Sequence, residues 1–129
     1  MGFDVHGISP KSDVGSYFRN NVWWWRPLWH YISQSCEDIL SEDELNSGSY
    51  NDGCKISKIK ATKIAERLAE LIASGDVKKF ETEYNKNIAK LNKTNQDGSD
   101  NWDANYPFSE ENVIEFMTFC SESGGFEIW

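Results

Sequence analysis

The sequence predicts a mostly helical α+β fold: about four helices, with a minor sheet formed by the N- and C-terminal segments. Three observations predict it. Amphipathic stretches with capping residues fill the middle and second half of the chain, both ends alternate apolar with polar residues, and 129 residues suffice for one enclosed core. The chain, 1–129, is expected to form a single domain.

The opening "MGFDVHGI" alternates Phe3, Val5 and Ile8 with Asp4 and His6, the pattern of a short strand ended by Gly7 and Pro10. The closing "FEIW" alternates likewise. These two strands are expected to pair with each other, since an isolated strand leaves its backbone groups unpaired. Pro27 suits the first turn of a helix, so a helix is expected from about Pro27 to Leu40. Asn20 or Asn21 would cap a short turn holding Trp23 to Trp25, joined to that helix by a kink at Arg26. The text "EDELNSGSYNDGC", Glu42 to Cys54, is acidic and then rich in Ser, Asn and Gly, and reads as a loop.

Next comes a helix with Ile56, Ile59, Ile64, Leu68, Leu71 and Ile72 on one face and Gly75 as its C-terminal cap. Asp76 can cap another helix, in which Val77, Phe80, Tyr84, Ile88 and Leu91 recur at helical spacing, and the two make an antiparallel hairpin. A polar stretch from Asn92 to Asn105 precedes Ser109, the N-cap of a last helix with Glu110 and Glu111 in its first turn. Val113, Phe116, Met117 and Cys120 form its core face, and Gly124-Gly125 ends it.

Composition narrows the function classes. Aromatic residues make up 14% of the chain and the formal charge is −8, so the molecule as a whole is not drawn to nucleic acid or an anionic membrane. The charge is uneven, with +5 between Lys55 and Lys93 and −13 elsewhere. Cys36, Cys54 and Cys120 are odd in number and widely spaced, which fits neither a disulfide framework nor a metal knuckle and points to reduced, cytoplasmic thiols. No apolar run has the length of a signal peptide or a membrane span.

The candidate site lies in "YFRNNVWWWRPLWHY", Tyr17 to Tyr31. Consecutive helical side chains point about 100° apart, so Trp23, Trp24 and Trp25 cannot share one core face. At least one is expected in a cleft, a pocket or an oligomer interface, with packing of sheet against helices as the alternative. An indole offers a stacking face, Arg19 and Arg26 can grip phosphate, and Asn20 and Asn21 can read polar edges. His30 and Asp52 complete the ligand-binding set.

Other motifs are weaker. Asp4 and His6 share a strand face and could join His30 or Asp52 around a divalent ion, but two scattered histidines do not make a metal site, and no metal or cofactor is expected. In "KTNQDGSDNWDA" the acidic first and twelfth positions of a calcium loop are occupied by Lys93 and Ala104. Lys58, Lys60, Lys63 and Arg67 read as the solvated face of a helix. No serine or cysteine has a neighbouring histidine in sequence or a glycine-rich phosphate loop.

Taken together, "MGFDVHG", "YFRNNVWWWRPLW", "NDG" and "YPFSEENVIEFMTFCSESGGFEI" resemble an uncharacterised family of small proteins encoded by bacteriophages and some bacteria. Some similar proteins carry Cys-x-x-Cys knuckles before the "YPF" block, where this chain has "NKTNQDGSDNWDAN", and that departure removes any zinc site. The resemblance implies a phage setting and host cytoplasm, and supplies no activity. The expected function is non-catalytic binding of a small phosphorylated or nucleotide-like ligand, in a phage setting sequestering a host signal molecule. The alternative is an acidic interaction module that inhibits a host protein, and an enzyme of unknown reaction comes third. Six tryptophans in a small domain also suggest a homodimer that hides surplus apolar surface.

Overall fold

The computed structural model describes residues 2–50, 53–94 and 108–129, with side chains to residue 87 in the second segment. The expected fold is present: a helical α+β domain in which the two end segments share one sheet. Strands β1 (Gly2–Gly7) and β4 (Phe126–Ile128) pair antiparallel, with Val5 opposite Ile128. Strands β2 (Tyr17–Asn21) and β3 (Cys54–Ile56), which the sequence reading missed, flank them and give the order β2-β1-β4-β3, antiparallel throughout. Phe3, Val5, Phe18, Cys54, Ile56, Phe126 and Ile128 are buried on the inner face. A 3-10 turn, Asp13–Gly15, joins β1 to β2.

Helix α1 runs unbroken from Val22 to Ser35 and therefore starts five residues before Pro27 and ends before the expected Leu40. Asn21 sets the start by accepting the Trp24 N–H at 3.1 Å. Pro27 sits in the second turn, where its missing N–H removes only the bond to the Trp23 carbonyl. The expected loop after residue 42 opens instead with helix α2 (Glu42–Ser47). Its signature is a capping box, Ser41 accepting the Glu44 N–H while the Glu44 carboxylate accepts the Ser41 N–H.

Helix α3 (Lys58–Ala73) packs most extensively on α5 (Glu110–Ser123), through Ala61, Ile64, Ala65 and Leu68. Ile59 was expected on that face and is 67% exposed. Ile56 belongs to β3, and with the buried stripe centred on residues 61 to 68 a residue at 59 points to the opposite side of the helix. Gly75, at φ +85°, turns the chain into α4 (Asp76–Thr94), whose Val77, Phe80 and Tyr84 face inward. Asp76 is the first residue of α4 and accepts the buried Tyr31 hydroxyl at 2.6 Å, which ties α1 to α4. Ser109 caps α5 through the Asn112 N–H, and Gly124 and Gly125, both at positive φ, end it as expected. Phe119 adds to the expected core face of α5, whereas Met117 is half-buried.

Candidate functional site

The tryptophan run divides by direction. Trp25 is fully buried, stacked between Phe3 at 5.3 Å and Trp29 at 5.5 Å, with the Phe116 ring edge-on at 5.6 Å. Its Nε1–H donates to the Gly48 carbonyl at 2.8 Å, and that of Trp29 to the Leu45 carbonyl at 3.0 Å. The last carbonyls of a helix lack intrahelical partners, so two indoles from α1 satisfy the C-terminal end of α2 from inside the core. Gly48 is obligatory there, because a Cβ would meet the Trp29 ring at 2.1 Å. Packing therefore accounts for Trp25 and Trp29.

Trp23 and Trp24 are only half-buried. On the helical wheel Trp23, Arg26, His30 and Gln34 fall on one outward stripe of α1, opposite Trp25, Leu28 and Ile32. Arg26 and His30 are exposed, and the His30 ring lies 3.2 Å from the Gln34 side-chain amide. Arg26 makes no ion pair among the described residues.

The other candidates are engaged elsewhere. Asn20 and Asn112 form a reciprocal amide pair, at 3.1 and 2.9 Å, that joins β2 to α5. Asn21 is the cap of α1. Arg19 lies on the outer face of the sheet, its Nε 3.6 Å from the Asp4 carboxylate. Asp52 and the calcium-like loop lie outside the described residues. Trp23, Arg26 and His30 are thus brought together, and Arg19 is directed to a different surface.

Sequence reasoning missed two other features. The outer face of the sheet carries Asp4, His6, Tyr17, Arg19, Lys55, Glu127 and Trp129, of which only Asp4, His6 and Arg19 were considered, because register alone joins the set. A cleft of ≈ 520 Å³ lies between α3 and the segment after α1, lined by Asp38, Ile39, Lys60, Lys63, Arg67 and neighbours. Its charges are largely used: Arg67 grips Asp38 with two bonds of 2.9 and 2.8 Å and also donates to the Ser35 carbonyl, and Lys60 pairs with Glu44. The hydrogen bonds from Arg67 hold the Asp38 carboxyl below its usual range. Burial raises the Glu44 carboxyl, but the bonds from Lys60 and Ser41 outweigh it and leave it lowered.

Reactive groups are poorly placed for chemistry. Burial pushes the Cys36 thiol up to about 11 and Cys120 well above the usual range, so neither offers a thiolate nucleophile at neutral pH. All three cysteines are free. Among the described residues no cluster of three His, Cys, Asp or Glu side chains could hold a metal ion, and no helix is long and apolar enough to cross a membrane. The chain matches no protein family, no curated protein and no solved structure with which it was compared.

Proposed function

We propose that the protein is a non-catalytic binder of a small phosphorylated or nucleotide-like ligand, held on the outer stripe of α1. The observation that carries this reading is Arg26: an exposed guanidinium with no internal ion pair among the described residues, beside Trp23 and His30, on a molecule of net charge −8. A protein with so few cations to spare has placed one next to an aromatic ring and an imidazole. The guanidinium can hold a phosphate through two hydrogen bonds, and the indole offers a face to a base. A stacked base contributes about 1–3 kcal/mol and each charge-assisted bond roughly 1.5–3 before association costs, enough for micromolar binding. In the phage setting that the sequence resemblance implies, such a protein would sequester a host signal molecule.

Thermal shift with mono-, di- and cyclic nucleotides and with inorganic phosphates tests this directly, since a ligand that binds only the folded state raises Tm with concentration. A hit should be lost in Arg26→Ala and kept in Arg19→Ala, whose side chain faces the sheet. No shift with any compound, or a hit that folded Arg26→Ala binds unchanged, ends the proposal.

A second reading has one observation in its favour. Glu111, Ile114 and Glu115 stand exposed together on α5, an acidic surface with an apolar centre suited to a basic protein partner. Binding of that kind weakens steeply with salt, whereas a stacked ligand is less sensitive.

A further inference from the structure

The outer face of the sheet is ordered in two cross-strand rows. In one, Arg19, Asp4 and Trp129 follow one another across β2, β1 and the end of β4, with the Trp129 N–H bonded to the Asp4 carbonyl at 2.7 Å. In the other, Tyr17, His6, Glu127 and Lys55 lie opposite one another across all four strands. The side chains are tied together within the face. The Tyr17 hydroxyl donates to Asp4, the His6 ring lies 5.2 Å from that of Tyr17, and the Trp129 Nε1–H donates to Glu127 at 3.1 Å.

Two glycines let planar groups lie against the backbone. A Cβ on Gly53 would come within 2.8 Å of the Trp129 ring, and one on Gly2 within 2.7 Å of the Arg19 guanidinium. The indole is therefore laid along the sheet while remaining 49% exposed, and Tyr17, two strands away, is 46% exposed. Two strand spacings are about 10 Å, the reach of two linked sugar rings.

We propose that this face binds an uncharged oligosaccharide, with Trp129 and Tyr17 as platforms for two sugar rings. Charge decides the ligand class. Asp4 and Glu127 balance Arg19 and Lys55, so the face is neutral on a molecule of net charge −8, a combination that repels a polyanion such as single-stranded nucleic acid. The polar groups supply both acceptors, from the two carboxylates, and donors, from Arg19 and Lys55, as a ligand made of hydroxyl groups requires. The C–H face of a pyranose covers an indole without needing charge. This site shares no residue with the stripe on α1, and stands or falls independently of it.

The test is isothermal titration of the whole protein with cellohexaose, maltohexaose, laminarihexaose and chitohexaose, with an oligothymidylate of similar length as the charged control. At least one hexaose should bind and the oligothymidylate should not. Trp129→Ala and Tyr17→Ala, each checked for an unchanged circular dichroism spectrum, should weaken that binding by about tenfold or more, with partial recovery in Trp129→Phe. No heat with any hexaose, binding that survives both alanine variants, or preference for the oligothymidylate overturns the proposal. A concentration-dependent dimer abolished by Trp129→Ala also overturns it, because a second copy of the chain would then occupy the face.

Discussion

The two faces of one sheet are built from the same strands and obey different rules. Inward, Phe3, Val5, Phe18, Phe126 and Ile128 meet α1 and α5 through rings, with Phe116 edge-on to Trp25, Phe18 and Phe126. Outward, Asp4, His6, Tyr17, Arg19, Glu127 and Trp129 contact one another through hydrogen bonds and charge. A tryptophan occurs on each side, and the contrast between Trp25 and Trp129 teaches what the residue is for. Where the indole is enclosed, its N–H satisfies a helix carbonyl and its faces are covered; where it lies on the surface, its N–H bonds a side chain and one surface stays open to solvent.

The largest effect should come from the inner side. Trp25→Ala removes two stacked contacts, one edge-on contact and the bond to Gly48, and should lower stability by about 3–5 kcal/mol in urea denaturation. A loss under about 1 kcal/mol would break the contrast. The alkaline limb of stability sharpens it. Cys36 rises from 9.0 to about 11 because burial disfavours the thiolate, and burial followed by the bond to Asp76 raises Tyr31 as well. Groups with raised values stabilise the fold fully below their unfolded values, and that stability is lost as pH climbs through the folded ones. Stability should therefore fall above about pH 9, and Cys36→Ala should remove roughly 2–3 kcal/mol of the loss in a denaturation series taken to alkaline pH. An alkaline limb unchanged in Cys36→Ala would show that the thiol is not shielded as the structure has it. The smallest effect belongs to the outer face, where Trp129→Ala should cost about 1–2 kcal/mol, since half of the indole is already exposed. A cost equal to that of Trp25→Ala would erase the distinction.

What was legible in the sequence was what repeats locally. Helices α3, α4 and α5 announce themselves through helical spacing and through Gly75, Ser109 and Gly124, and alternation at both ends discloses β1 and β4. Strands β2 and β3 are five and three residues long, too short for a period to stand out, and Tyr17 to Asn21 had been read as the approach to a helix. Helix α2 was marked by Ser41 and Glu44, a signature overlooked beside the glycines and asparagines that follow. The division of Trp23 from Trp25 follows from helical geometry, and the partner of Trp25, the Gly48 carbonyl, does not. Tyr17 and Trp129 were invisible as site residues because register brings them to one surface, and register joins residues more than a hundred positions apart.

The place of β4 in the sheet bears on how the fold is reached. Residues 126–128 insert between β1 and β3, so the centre of the sheet joins segments as far apart as Val5 and Ile128. The α3–α4 pair and the β1–β2 ribbon close over short distances, but β3 has no strand partner until β4 arrives. The cost of closing a long loop must be met before those ladder bonds form, which slows folding relative to a helical bundle of the same size. Until that step the aromatic faces of α1 and α5 have no complete sheet to cover them, so the nascent chain carries its greatest aggregation hazard just before its last strand is in place.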